Sequence, residues 1–225
     1  NDALGYSTIY ARLPSDVDPD TLVEDGITSY RNIRFAGLNH DDGYANHGQG
    51  FKVVSVSGNE VTLDRPFYWT WDNSAGSLEV REYANFGERI GVEDLSLIIY
   101  PDIPKGDAAE AALSARTGLI FEDVTESWIK GVEVTLPTQN FILAKRTMDC
   151  TFHGNYVHTG RDRQGGSSYG IRMQDTNFNN LIENNRAYEL RHAFVADGMN
   201  VGHVFAYNFS LDPNDDSDFL YQDYL

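Results

Sequence analysis

Polar and apolar residues alternate with period two along most of this chain, and nowhere do they hold a helical period for long. In the first part, Phe51-Lys-Val-Val-Ser-Val56 and Val61-Thr-Leu63 flank Ser57-Gly-Asn-Glu60. β-Branched residues on both arms of a Gly-Asn turn predict a hairpin. Pro14, Pro19 and the acidic clusters around Asp16–Asp20 and Asp41-Asp42 break up the rest of that region. Tyr68, Trp69, Trp71 and Asp72 follow as an aromatic cluster that suits either the cover of an open core end or a sugar-stacking platform.

From Ile90 onward the chain repeats itself. Gly118-Leu-Ile-Phe-Glu-Asp-Val124, Phe141-Ile-Leu-Ala-Lys-Arg-Thr147, Gly170-Ile-Arg-Met-Gln-Asp-Thr176, Ala193-Phe-Val-Ala-Asp-Gly-Met199 and Asp218-Phe-Leu-Tyr-Gln-Asp-Tyr224 align. Leu119, Ile142, Ile171, Phe194 and Phe219 then share one column, at steps of 23, 29, 23 and 25 residues. A second strand keeps step at Trp128-Ile129, Thr151-Phe152, Leu181-Ile182 and Val204-Phe205, with asparagines at 155, 184, 185 and 208. These strands are too short and too β-branched or aromatic for helices. One such unit cannot bury its inward row alone, so successive units must stack as coils with parallel strands in register. Asparagines at a repeated bend suit amide ladders and left-handed backbone. Gly91–Leu97 reads as an earlier coil, 101–116 as a loop with an Ala-rich, briefly helical middle, and 159–168 as a loop insertion. The expectation is an all-β chain: residues 90–225 form a parallel β-helix, and residues 1–89 a mixed β region that flanks or caps it.

Trp128-Ile-Lys-Gly-Val132, Phe152-His-Gly-Asn155, Leu181-Ile-Glu-Asn-Asn185 and Val204-Phe-Ala-Tyr-Asn208 resemble the coils of the pectate-lyase-like superfamily. The resemblance covers about 90–225 and implies a right-handed, single-stranded β-helix. It is less specific for activity, because that superfamily spans lyases, hydrolases, epimerases, tailspikes and adhesins. Its pectate lyases carry Trp-Ile-Asp-His with a calcium-binding Asp, where this chain has Trp128-Ile129-Lys130-Gly131. Their Arg-x-Pro-x-x-Arg segment and the paired Asp of the hydrolases are absent as well. A lysine/arginine mechanism, like that of alginate-lyase and chondroitinase-like β-helices, is what the resemblance leaves.

On stacked strands, outward residues form columns about 4.8 Å apart. One reads Glu122, Lys145, Gln174, Asp197, Gln222, and its neighbour Ile120, Leu143, Arg172, Val195, Leu220. Lys145 and Arg172 would share a face, with His192 beside them, as the catalytic groups of a uronate lyase. Arg146, His158, Arg161, Arg191 and Gln174 would extend the site toward substrate. β-Elimination needs a base for the C5 proton and a cation on the carboxylate, which Lys145 and Arg172 could supply. The competing reading is a ladder of ion pairs, Lys145 with Asp197 or Glu122 and Arg172 with Asp175. Asp175, Asp197 and Asp223 offer oxygens to a calcium ion, and Asp212–Asp218 forms a further acidic loop. His153 and His203 fall beside the asparagine-bearing strand and read as ladder or surface residues.

Charge narrows the partners. Asp and Glu number 34 against 17 Lys and Arg, a net charge of -17, which repels nucleic acid and anionic membranes. No apolar run approaches the roughly 20 residues that span a bilayer. Cys150 is the lone cysteine, so no internal disulfide forms, and it reads as a small buried hydrophobe. No signal peptide opens the chain, and its last residues stop within an apparent strand, so further coils or end-to-end association are expected there. Two functions stay open. One is an extracellular or cell-surface protein that binds acidic polysaccharide, leaning toward a lyase. The other is a structural or adhesive β-helix that assembles through its coil ends.

Overall fold

The computed structural model describes residues 33–36, 49–58, 60–68, 77–80, 86–99, 117–161 and 166–212. The chain divides into two compact units, Asn1–Phe86 and Gly87–Leu225. In the first, β1 (Ile33–Ala36) pairs antiparallel with β4 (Ser77–Val80), and β2 (Val53–Ser57) with β3 (Glu60–Leu63). The β2–β3 ribbon is the expected hairpin, and Gly58 takes its left-handed turn position at φ 58°. Buried Gln49 donates to the Pro66 carbonyl at 2.9 Å and accepts from the Tyr68 amide at 2.9 Å, holding the segment after the hairpin. Phe51 and Phe67 pack edge to face there, 4.9 Å apart. Trp69 and Trp71 lie outside the described residues.

The second unit is built of coils with three strands each. The first contributes β5 (Gly87–Glu88), β6 (Gly91–Glu93) and β7 (Ser96–Ile98), and the next β8 (Leu119–Thr125), β9 (Trp128–Lys130) and β10 (Glu133–Thr135). Then come β11 (Asn140–Met148), β12 (Thr151–His153) and β13 (Tyr156–His158), followed by β14 (Tyr169–Phe178), β15 (Leu181–Glu183) and β16 (Arg186–Tyr188). The last described coil holds β17 (His192–Val201), β18 (Val204–Ala206) and β19 (Phe209–Leu211). Equivalent strands stack into three five-stranded sheets: the first β5-β8-β11-β14-β17, the second β6-β9-β12-β15-β18, the third β7-β10-β13-β16-β19. Every pairing within these sheets is parallel.

The inward columns explain why the coils stack. Leu119, Ile142, Ile171 and Phe194 align in the first sheet, as expected. Ile142 and Ile171 are fully buried, Phe194 is buried and Leu119 partly so. Ile129, Phe152 and Ile182 line the second sheet, and Val134, Val157 and Ala187 the third, all buried. Each large aliphatic or aromatic side chain so removed from water contributes about 1.5–3 kcal/mol. Phe219, expected in the first column, lies outside the described residues, as do 101–116 and Asp215–Asp218.

Bends between the strands turn on left-handed residues. Between the second and third sheets these are Asp94, Gly131, Gly154, Asn184 and Tyr207, with φ from 50° to 64°. A Cβ on Gly131 would meet the Asp94 carboxylate at 2.5 Å. The next residue is apolar in the first two coils (Leu95, Val132) and an asparagine in the following three, which form a ladder. Asn155 Nδ2 donates to the Ile129 carbonyl and to Asn185 Oδ1, both at 3.0 Å. Asn185 Nδ2 donates in turn to the Phe152 carbonyl and to Asn208 Oδ1, both at 2.9 Å. Buried amides thereby satisfy backbone groups that a tight bend strips of partners.

Candidate functional site

The outward columns of the first sheet form as the repeats imply. Glu122, Lys145, Gln174 and Asp197 are partners across β8, β11, β14 and β17, and Ile120, Leu143, Arg172 and Val195 stand beside them. Lys145 and Arg172 are therefore diagonal neighbours on adjacent coils, with Cα atoms roughly 8 Å apart from strand geometry. Leu143, although in the outward column, is buried.

Arg172 leans one coil along the helix. Its Nε donates to Asp197 Oδ2 at 3.1 Å, and its Nη2 donates to the same oxygen. Asp197 lies one strand over and two residues along from Arg172, while the side chain of Asp175, the partner read from the sequence, lies outside the described residues. The Arg172 guanidinium also lies 4.5 Å from the centre of the Tyr169 ring, a cation–π contact. On β14 and β17, Tyr169 and His192 are register partners, and their rings stack at 5.3 Å. Arg191 donates to the Tyr169 hydroxyl at 3.3 Å and sits 5.9 Å from that ring. Tyr169 is thus the hub between two guanidiniums and an imidazole. The sequence reading missed it; extending the aligned column two residues upstream to Asn140, Tyr169 and His192 would have found it.

Other expected site residues go elsewhere. His192, expected beside Lys145 and Arg172 as a catalytic group, is 1% exposed, because its ring is packed behind Tyr169. Arg146 is held between two carboxylates: Nε donates to Asp123 Oδ1 at 2.6 Å and Nη2 to Glu122 Oε1 at 2.6 Å. Those bonds, Asp123 first, raise its pKa further above the ordinary arginine range. His158 belongs to the third sheet, where Nε2 meets Glu133 Oε1 at 3.0 Å, so it does not join Lys145 and Arg172. Arg161 follows β13 at the bend toward the first sheet, its amide bonded to the Pro137 carbonyl. His153 pairs with Glu183 at 3.0 Å, and His203 accepts from the Asn180 amide at 3.1 Å.

For calcium, Asp197 already receives the Arg172 guanidinium on Oδ2, where a metal would otherwise draw charge. The Asp175 side chain and all of Asp223 lie outside the described residues. Among the described residues, no three His, Cys, Asp or Glu side chains gather as metal ligands do. Cys150 is buried and its thiol pushed up to about 12 by desolvation, the state of an inert packing residue.

Three sheets of in-register parallel strands, with an asparagine ladder at one bend, define this chain as a parallel β-helix protein. No family model matches it, and no curated protein does. Among solved structures it is similar to the tailspike protein gp49 from Pseudomonas phage LKA1, at 16% identity and a TM-score of 0.49. That similarity covers 91% of this chain and 34% of the tailspike, so the chain spans about a third of that protein's length.

Proposed function

We propose that this protein is an extracellular or cell-surface β-helix that binds an acidic polysaccharide along its first sheet and cleaves it by β-elimination. The observation that carries the reading is the diagonal placement of Lys145 and Arg172 on adjacent outward rungs. Tyr169 stands beside Arg172 as an aromatic platform. A uronate carboxylate would take the place of Asp197 on Arg172, since a guanidinium grips one carboxylate as readily as another. Charge withdrawn by Arg172 acidifies the C5–H bond. Lys145 removes that proton; the electron pair of the C5–H bond forms the C4–C5 double bond, and the C4–O bond breaks. The leaving sugar oxygen collects a proton from Lys145 or water. Burial of His192 leaves the base role to Lys145 and gives the imidazole that of support behind Tyr169.

The test is a panel of uronate polymers followed by the ultraviolet absorbance of the unsaturated product. A rise that Lys145→Ala abolishes supports the reading, and no rise on any polymer removes the lyase step. A structural or adhesive role is favoured by a different observation: Arg146 and Arg172 are both closed in ion pairs, as a charge ladder requires. Sedimentation of the same sample reads assembly directly.

A further inference from the structure

The third sheet presents a different surface. Its outward residues also fall into two columns, one reading Ser96, Glu133, Tyr156, Arg186 and the other Ile98, Thr135, His158, Tyr188. On β13 and β16 this makes a square: Tyr156 and His158 on one rung, Arg186 and Tyr188 on the next. Three corners are rings and the fourth is a guanidinium.

Local contacts hold part of the square in place. Tyr156 and His158 stack with centroids 4.2 Å apart and planes 20° from parallel. His158 is fixed from below by Glu133, whose other oxygen accepts from Ser96 Oγ at 2.7 Å. Tyr188 hydrogen-bonds the Glu189 carboxylate. Glu133 and Glu189 are therefore both engaged.

Arg186 differs from the arginines of the first sheet. It is exposed, and among the described residues its side chain has no ion pair or hydrogen bond, whereas Arg146 and Arg172 are each closed on carboxylates. On a chain of net charge -17, an exposed cation beside aromatic rings offers an anionic group an attractive contact, against the Glu189 and Asp212 carboxylates that act on neighbouring Tyr188.

We infer that this square is a second ligand surface, separate from the first-sheet site, and that it takes an acidic sugar unit. One pyranose face lies on Tyr156 and its carboxylate meets Arg186. The rung spacing of about 4.8 Å lets consecutive coils address consecutive parts of one saccharide chain. The inference is independent of the lyase reading, because no residue of the square belongs to that mechanism.

The experiment uses the full chain and oligomers of galacturonate and of mannuronate, with neutral cello-oligosaccharides as control, in calorimetric or NMR titrations at low and at physiological salt. Arg186→Gln and Tyr156→Ala are compared with Arg172→Ala, and melting temperature checks each fold. The expected result is about a tenfold loss of uronate affinity for each square variant, with a shallower salt dependence for Arg186→Gln. A binding component should survive Arg172→Ala. The inference is overturned if the parent binds neither uronate oligomer, or if both square variants bind like the parent. It is also overturned if those variants change the oligomeric state while leaving saccharide binding intact, since the surface would then be a protein contact.

Discussion

Arg172 on β14 and Asp197 on β17 are bound guanidinium to carboxylate across adjacent coils, two donors converging on one oxygen. The second oxygen, Oδ1, is buried and has no hydrogen-bond partner among the described residues. One carboxylate thus neutralises the guanidinium to which the proposed substrate carboxylate would bind.

Asp197→Asn should therefore release Arg172 at small structural cost. The pair is partly exposed, with side chains 14% and 39% accessible, so its loss should change stability by no more than about 1 kcal/mol. Uronate affinity measured by titration should rise severalfold. A fall in affinity would mean that the carboxylate orients Arg172 rather than competing for it.

Lys145→Ala should eliminate any lyase turnover while melting within a few degrees of the parent, because an outward side chain adds little to the core. Arg172→Lys should weaken binding as well, since an ammonium cannot reproduce the two-point grip on a carboxylate. If both variants turn over normally, the base and clamp lie elsewhere.

Asn185→Leu tests the ladder. Asn185 Oδ1 accepts from the Asn155 amide N–H and from its side chain, both at 3.0 Å, and its own Nδ2 feeds the Phe152 carbonyl. Removing the amide strands buried donors and an acceptor at once, and denaturant unfolding should show a loss of about 3 kcal/mol or more. An unchanged midpoint would show that the stacked apolar columns alone hold the bend.

His203 gives the last coil a pH dependence. Its Nδ1 accepts from the Asn180 amide, so Nε2 carries the proton and donates to Asn200 Oδ1 at 3.1 Å. Desolvation lowers its pKa from 6.5 to about 4. The unfolded chain takes up the proton first, so stability is full above the unfolded value and erodes as pH falls toward 4. The loss levels off below that, at on the order of 3 kcal/mol. Parent and His203→Asn chains unfolded across this range should differ in slope between those pH values. Parallel curves would assign the dependence to carboxylates.

The amide bends were readable before any coordinates: Asn184 takes the left-handed position, and Asn155, Asn185 and Asn208 the ladder. A residue that fits a tight bend by its own sterics and hydrogen bonding carries that information locally. A second polar stack was not readable. Thr147, Asn177, Asn180 and Asn200 join through side-chain amides and a hydroxyl where the first sheet bends into the second. Only two of its members, Asn177 and Asn200, repeat one residue type at one register position; Thr147 and Asn180 break the pattern.

Sequence alone determined the coil period, the parallel stacking and the inward columns. Burial of a period-two apolar row leaves stacked coils as the arrangement that covers it, and a one-residue slip would turn each row outward. The same alternation placed Lys145 and Arg172 on one face. Only the tertiary structure decided which charges meet. The tip of a long side chain can reach across rungs, so Arg172 closed on Asp197, and Arg146 on Asp123 and Glu122. Packing of one ring on another, which no pattern along the chain encodes, put His192 behind Tyr169. The second bend of each coil carried His158 onto the third sheet and set Arg186 between Tyr156 and Phe209 on neighbouring rungs, where among the described residues its side chain forms no ion pair.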